Sequence, residues 1–320
     1  MDTRKGIRGI NSTHQLWRLW SLAFLFFTIA SFVEAHQAEA DDAPKPWRDR
    51  YINPVPLDDD IILPLPCGGG IAFRPVLVPV NTVLDDRKVV LGGNDDRYAY
   101  AENSREDYIS GAFSLPGREG RFLIISKYEI TEDQFATASG ECKRATSGGT
   151  LPKVNVSWLE AMTFAETITL WLHQNAADSV PSDDGEPGYL RLPTETEWEY
   201  AARGGAAVAP SEFIAPVFPM AEALGAYAWH GTAESSQYQL QPIGLLNRNP
   251  VGLHDILGNA AEMVLDPFRL NKISHLHGRA GGITVKGGDY FTPPGNIRSA
   301  ARQEINPYLK GGVRTLETVG

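Results

Sequence analysis

Cysteine and histidine are the side chains best suited to redox, nucleophilic or metal chemistry, and this chain carries few of them. Its cysteines are Cys67 and Cys142. Two thiols cannot build a four-cysteine zinc site or a disulfide scaffold. His275 and His277 are the one close pair of histidines, and no third metal ligand is identified beside them. Gly68-Gly69-Gly70 lacks the following Lys-Ser/Thr that a phosphate loop needs, and there is no serine nucleophile elbow, HExxH or Walker A sequence. No standard catalytic signature stands out.

Composition bounds the rest. The 320 residues are 42% hydrophobic and 10% aromatic, enough to bury a large core and too apolar for a disordered chain. With 29 basic against 39 acidic residues, the net charge of −10 speaks against a nucleic-acid partner, because phosphate backbones are bound by clustered Lys and Arg. Arg4, Lys5, Arg8 and Arg18 precede an uncharged apolar run at 19–33 (LWSLAFLFFTIASFV), and Ala38-Glu39-Ala40 follows it. That order predicts a secretory signal peptide over 1–40, cleaved after Ala40 or at Ala35, and an exported mature protein; fifteen apolar residues are short for a membrane span. No membrane insertion is expected after cleavage. Removing residues 1–40, with four basic and three acidic residues, moves the net charge to −11. In an oxidising compartment, Cys67 and Cys142 are expected to form a disulfide.

The elements that must position any site come next. Residues 41–60 (DDAPKPWRDRYINPVPLDDD) read as an extended N-terminal arm, with the folded domain over 61–320. Strands are expected at 71–79, 88–91, 121–130 and 283–285. Thr131 with Gln134, Ser157 with Glu160, and Thr194 with Glu197 have capping-box spacing and should start three helices. After Ser157, Ala161, Phe164, Ala165, Ile168 and Leu172 share one helical face. Gly204-Gly205 should stop the third helix. Long Pro- and Gly-rich stretches then leave an irregular, loop-rich α+β domain.

Five segments, in order, carry a family resemblance: KYEITEDQF (127–135), PKVNVSWLEAMTF (152–164), RLPTETEWEYAARGG (191–205), NPVGLHDILGNAAE (249–262) and VKGGDYFTPPGNIRSAAR (285–302). Together they resemble the formylglycine-generating enzyme (sulfatase-modifying factor) superfamily. The resemblance implies a single domain of the C-type-lectin-like α+β type. It also implies a copper(I) site on cysteine thiolates in the segment that here reads FTPPGNIR (291–298). That segment has no cysteine, and soft thiolates are what select Cu(I), so no copper is expected. A second implied site survives: Asp255, Gly258, Ala260 and Glu262 stand at the positions of a structural calcium site in related enzymes. Two carboxylates and two backbone carbonyls supply part of the six to eight oxygens that Ca²⁺ takes.

Two functions remain open on this basis. The signal peptide, LPCGGGIAFRPV (65–76), RQEINP (302–307) and the missing thiolates resemble the TagR-like periplasmic accessory proteins of type VI secretion. That likeness implies a non-catalytic regulator that binds the periplasmic part of a transmembrane Ser/Thr kinase. Tyr290, Phe291, Arg298, Arg302 and the arm are then the candidate contact residues. The alternative is an exported tailoring enzyme of the siderophore-maturation type, with Glu262, Asp289 and Glu304 as candidate acid/base carboxylates.

Overall fold

The computed structural model describes residues 46–82, 84–102, 104–140, 142, 145–269 and 281–309, all within one compact unit. The expected signal peptide and His275-x-His277 lie outside the described residues. In chain order the helices are α1 (Asp49–Ile52), α2 (Ala99–Glu102), α3 (Glu132–Thr137), α4 (Trp158–Asn175), α5 (Glu195–Ala202) and α6 (Pro210–Phe213). The strands are β1 (Ile61–Pro64), β2 (Gly70–Val78), β3 (Arg87–Leu91), β4 (Arg105–Ile109), β5 (Arg121–Ser126), β6 (Ser182–Asp183), β7 (Glu186–Pro187), β8 (Glu262–Pro267), β9 (Ile283–Lys286) and β10 (Gln303–Ile305). They form antiparallel sheets ordered β1-β2-β5 and β10-β9-β8 and the two hairpins β3-β4 and β6-β7. Small sheets, short helices and long loops make this a loop-rich α+β fold. Among the described residues no helix is long and apolar enough to cross a membrane.

Local chemistry explains the helix starts. The Thr131, Ser157 and Thr194 side chains each accept from the N3 amide, and Gln134, Glu160 and Glu197 reach back to the cap N–H. Each pair satisfies two donors that a helix end otherwise leaves without partners. Helix α4 buries Phe164, Ala165, Ile168 and Leu172 against Leu63, Ile71 and Phe73 of the first sheet. Helix α5 stops where Gly204 turns left-handed at φ 95°, and its Trp198 and Tyr200 join Val76, Val78, Leu91, Leu257 and Val264 in the larger core cluster.

Helix α5 also buries two carboxylates, Glu195 and Glu199, on four cations. Arg203 lies 2.6 Å from Glu199, Lys286 3.3 Å from Glu199, Arg302 2.7 Å from Glu195, and Arg105 3.4–3.5 Å from both. Burial by itself would raise the Glu199 pKa, but Lys286, Arg203 and Arg105 more than offset it and hold the group at about 2. Removing one partner of such a network strands a buried charge, at a cost of about 3–5 kcal/mol.

The arm is a correction. Residues 46–60 pack onto the domain: Trp47 is buried against Gly69, and its amide donates to the Gly68 carbonyl at 2.9 Å. Asp60 accepts from Lys127 Nζ at 2.6 Å and from Arg74 at 2.9 Å, and Arg74 also pairs with Asp59. Proline spacing favours extended backbone here, but the buried Lys127 and Arg74 need counter-charges, and the acidic run 58–60 supplies them. The strand expected over 121–130 stops at Ser126, where the Ser126 hydroxyl donates to the Tyr128 carbonyl and the chain turns toward this segment.

Candidate functional site

Strand β9 delivers the chain into a tight turn at the position of the family's copper segment. Gly287 and Gly288 take φ of 84° and 72°, where a side chain would be strained. Asp289 follows, buried, and its Oδ1 accepts from the Phe291 amide, the Thr292 amide and the Thr292 hydroxyl, each at 2.8 Å. Thr292 Oγ1 in turn accepts from the Asp289 amide at 2.9 Å. Burial raises the Asp289 pKa, and these hydrogen bonds oppose the rise. Two further ties fix the turn: the Tyr290 amide donates to the Asn259 carbonyl at 3.0 Å, and Ser236 Oγ donates to the Tyr290 carbonyl at 2.7 Å. Gly231 passes so close that a Cβ there would sit 2.2 Å from the Phe291 carbonyl oxygen.

What this frame holds up is aromatic. The Tyr290 and Phe291 rings lie 4.4 Å apart between centroids, and Tyr238 stacks on Phe291 at 6.0 Å. Tyr238 is 50% exposed, and both it and Gln237 have positive φ, 58° and 55°. Two consecutive non-glycine residues in that region are costly, so the surrounding structure must hold them there. Nothing in the segment SSQYQLQP marked Tyr238 as part of the cluster.

The two arginines expected beside these aromatics do different work. Arg298 makes paired hydrogen bonds to Glu102 at 2.6 and 2.8 Å, and its guanidinium lies 3.6 Å above the Tyr98 ring. Arg302 is buried, donates to the carbonyls of Ala101 and Arg269, and pairs with Glu195. Tyr238 is exposed and Tyr290 and Phe291 are half-buried, while both guanidiniums are engaged by carboxylates and loop carbonyls.

A second constellation lies behind Asn259, whose carbonyl holds Tyr290 and whose side-chain amide donates to Glu129 at 2.7 Å. Glu129 also accepts the Ala260 amide at 2.8 Å. Asp255, Gly258 and Asn259 all have positive φ (55°, 80° and 53°), so the loop coils tightly, and a Cβ at Gly258 would sit 2.2 Å from the Trp229 carbonyl oxygen. Asp255 accepts from the Gly244 amide through Oδ2, while its buried Oδ1 has no donor among the described residues. Glu262 accepts from Trp198 Nε1 at 2.7 Å. Burial pushes Glu262 up to about 8 and Asp255 up to about 6; burial, with Asp255 and Glu262 nearby, also raises Glu129. Glu129 sits inside KYEITEDQF, but only the fold shows it beside the other two acids.

Of the calcium quartet, Asp255 and Glu262 therefore come together as acids short of positive charge, and the orphaned Asp255 Oδ1 is the kind of hard oxygen that Ca²⁺ takes. Among the described residues no three His, Cys, Asp or Glu side chains are arranged to hold a metal, so such an ion would rest on these two carboxylates and the backbone. The alternative acid/base set is dispersed in its bonding. Glu262 serves Trp198, Asp289 caps its own turn, and Glu304 accepts from the Gly282 amide. No hydrogen bond or ion pair joins the three among the described residues.

Beside these acids is a cavity of about 430 Å³, walled by β5, α4 and the loop before β8, with Glu129, His254 and Glu262 among its lining residues. Cys67 and Cys142 are joined in a disulfide with Cα atoms 4.9 Å apart, and Cys67 itself takes φ 64°. Both thiols of the chain are consumed there.

Comparison with known proteins agrees with this architecture. The family described as "Sulfatase-modifying factor enzyme 1-like domain" matches residues 86–317. Chaperone protein LppX of Paenibacillus barcinonensis is 26% identical over 211 residues, which is 57% of this chain and 71% of that protein. Among solved structures, Treponema denticola variable protein 1 superposes with a TM-score of 0.53 at 20% identity, over 80% of this chain and 96% of its own. PvdO from Pseudomonas aeruginosa does so at 0.53 and 18% identity, over 76% and 90%. Identities this low speak to the fold alone. With the family match covering most of the chain and the fold in agreement, this protein belongs to the sulfatase-modifying factor (formylglycine-generating enzyme) family.

Proposed function

We propose that this chain is an exported, periplasmic accessory protein that works by binding another protein, and that its client is the periplasmic region of a transmembrane Ser/Thr kinase of type VI secretion. The observation that carries the reading is the 289–298 segment. At the start of 291–298, the stretch where the family's copper enzymes place thiolates, this chain has an aromatic cluster on a turn fixed by Asp289, Ser236 and Gly231. Both of its cysteines are bonded to each other elsewhere. A Cu(I) centre needs soft thiolate ligands, so the chemistry of the copper enzymes lacks its ligands here. Tyr238 is exposed and Tyr290 and Phe291 are half-buried, and pre-ordered aromatics of this kind are what protein interfaces use as anchors, because they bury large area at little entropic cost. A relative named as a chaperone protein is in keeping with a binding role.

Calcium is part of the same proposal. Asp255, Glu262 and the carbonyls of Gly258 and Ala260 would hold the ion, and its charge would offset the crowded acids behind the aromatic turn. Incubation of the purified protein with Cu(I), oxygen and a sulfatase-type cysteine peptide is expected to give no formylglycine. Formation of the aldehyde, seen by peptide mass spectrometry, would overturn the non-catalytic reading.

A further inference from the structure

Strand β5 has one edge closed by β2 and another that is left open. Its residues pair with β2 from Arg121 opposite Val78 to Ser126 opposite Phe73, and an antiparallel ladder turns successive backbone groups to opposite sides. The Lys127 amide donates to the Ala72 carbonyl at 2.8 Å, so Leu123 and Ile125 point their N–H and C=O groups toward β2 as well. Even-numbered residues point away from it: Phe122 exchanges two hydrogen bonds with Phe113 on that side, at 2.8 and 3.0 Å. Ile124 stands opposite Pro75, which has no N–H to give, in keeping with this parity. Continued pairing would bring Gly111 beside Ile124, but the chain turns off. Arg121 donates to the Gly111 and Ala112 carbonyls at 2.8 and 2.7 Å, and a Cβ on Gly111 would sit 2.5 Å from the Arg121 carbonyl carbon. Among the described residues neither the N–H nor the C=O of Ile124 has a partner. Exposure returns at the same point, with Phe122 and Leu123 buried and Ile124, Ile125 and Ser126 half-buried.

The cavity of about 430 Å³ lies along this edge. Leu123 and Ile125 pack with Trp198 and Ile256 on one face of the sheet, Ile124 packs with Phe73 and Phe164 on the other, and all of them line it. A space bounded by consecutive residues from both faces of a strand runs past the strand's edge. Charged side chains on the wall are already engaged: Glu129 accepts the Asn259 and Ala260 amides, Glu262 accepts from Trp198, Arg191 pairs with Glu197, and Lys153 lies over the Phe135 ring. What is left without a partner is backbone, and an open strand edge is recognised by another extended backbone. We infer that the open edge of β5 docks an extended segment of a partner protein, which adds beside Ile124 as a strand. Side chains of that segment would alternate toward Trp198 and Ile256 and toward Phe135 and Phe164. Both sides are apolar, so the segment is apolar at successive positions, like a strand buried on both faces. Tyr238, Tyr290 and Phe291 are not among the lining residues, so the inference goes beyond the reading built on them and does not depend on it.

Residue-resolved amide exchange by NMR on the full exported chain tests this, with a soluble peptide carrying Val-Ile-Val-Ile between terminal lysines as the probe. Without peptide, the Ile124 amide is expected to exchange faster than those of Leu123 and Ile125, which are bonded to β2. Saturating peptide should slow Ile124 by roughly tenfold or more. N-methylation of the peptide's central amides keeps its side chains, removes its donors and should weaken binding roughly tenfold or more. Ile124→Pro deletes the outward N–H while sparing the ladder to β2, and should abolish binding. If that variant fails to melt cooperatively, Ala161→Leu, which fills the cavity from α4, makes the same test. Equal binding of the N-methylated peptide, an Ile124 amide already as protected as its neighbours, no binding to folded protein, or binding unchanged in a folded variant would each overturn the inference. So would a dimer of the chain that Ile124→Pro breaks, because the edge would then belong to a second copy.

Discussion

Glu262 and Asp255 are ionisable groups whose folded environment disfavours their charge, and that has a definite consequence for stability. Both pKa values stand above the ordinary carboxylate range, at about 8 and about 6, so between about pH 4 and pH 8 the native state binds more protons than the unfolded chain. Metal-free stability is therefore fully supported below about pH 4 by these groups and falls as pH rises through 6 and 8. Glu262 alone accounts for on the order of 5 kcal/mol. Asp60 and Glu199 act in the opposite sense. Held at about 2, they support stability above about pH 4 and lose that support as pH falls toward 2. Urea midpoints in chelator should thus peak near pH 4–5 and decline toward pH 8.5, with a shallower decline in Glu262→Gln; a midpoint that rises steadily to pH 8 would contradict the burial of these acids. Calcium add-back at pH 7.5 should raise the midpoint, and no change would mean that the quartet holds no ion. At this scale the sequence was readable only where chemistry is local. Asp255 and Glu262 are seven apart and came with a motif, whereas Glu129 reaches them only by folding across more than a hundred residues, and Tyr238 enters the aromatic cluster through a backbone conformation that its residue type disfavours.

Elements were the most legible level, because a capping box is written within four residues and needs nothing from the rest of the chain. All three boxes form as spaced, and α5 ends at its glycine. Thr194→Ala should cost about 1 kcal/mol, measured by urea unfolding, since it removes the acceptor for the Glu197 amide at the start of α5. A loss below a few tenths of a kcal/mol would show that tertiary packing fixes the helix start without the cap. The 46–60 segment failed for the complementary reason. Its prolines and charges suit an extended arm when read alone, and the fact that decides its fate is a pair of buried cations, Lys127 and Arg74, placed beside it by β5 and β2. The strand expected to run to Ile130 is shortened by the same contacts.

At the scale of the whole molecule, the disulfide and the aromatic turn define what the chain has become. The Cys67–Cys142 bond closes a loop of 75 residues, so the double variant Cys67→Ser/Cys142→Ser should lose about 4 kcal/mol, read as a lowered denaturant midpoint under non-reducing conditions. An unchanged midpoint would mean that the bond carries no stability. The ordered motifs made the family and fold legible before any coordinates. The proposed contact residues were less so, because Arg298 and Arg302 stand beside Tyr290 and Phe291 in sequence and are engaged in space by Glu102 and Glu195. The most direct test of the proposed role is a calorimetric titration of the exported chain with the purified periplasmic region of the membrane Ser/Thr kinase. Saturable binding is expected, weakened roughly tenfold or more by Phe291→Ala or Tyr238→Ala with little change in melting temperature. Absence of binding, or binding indifferent to both substitutions, would contradict it.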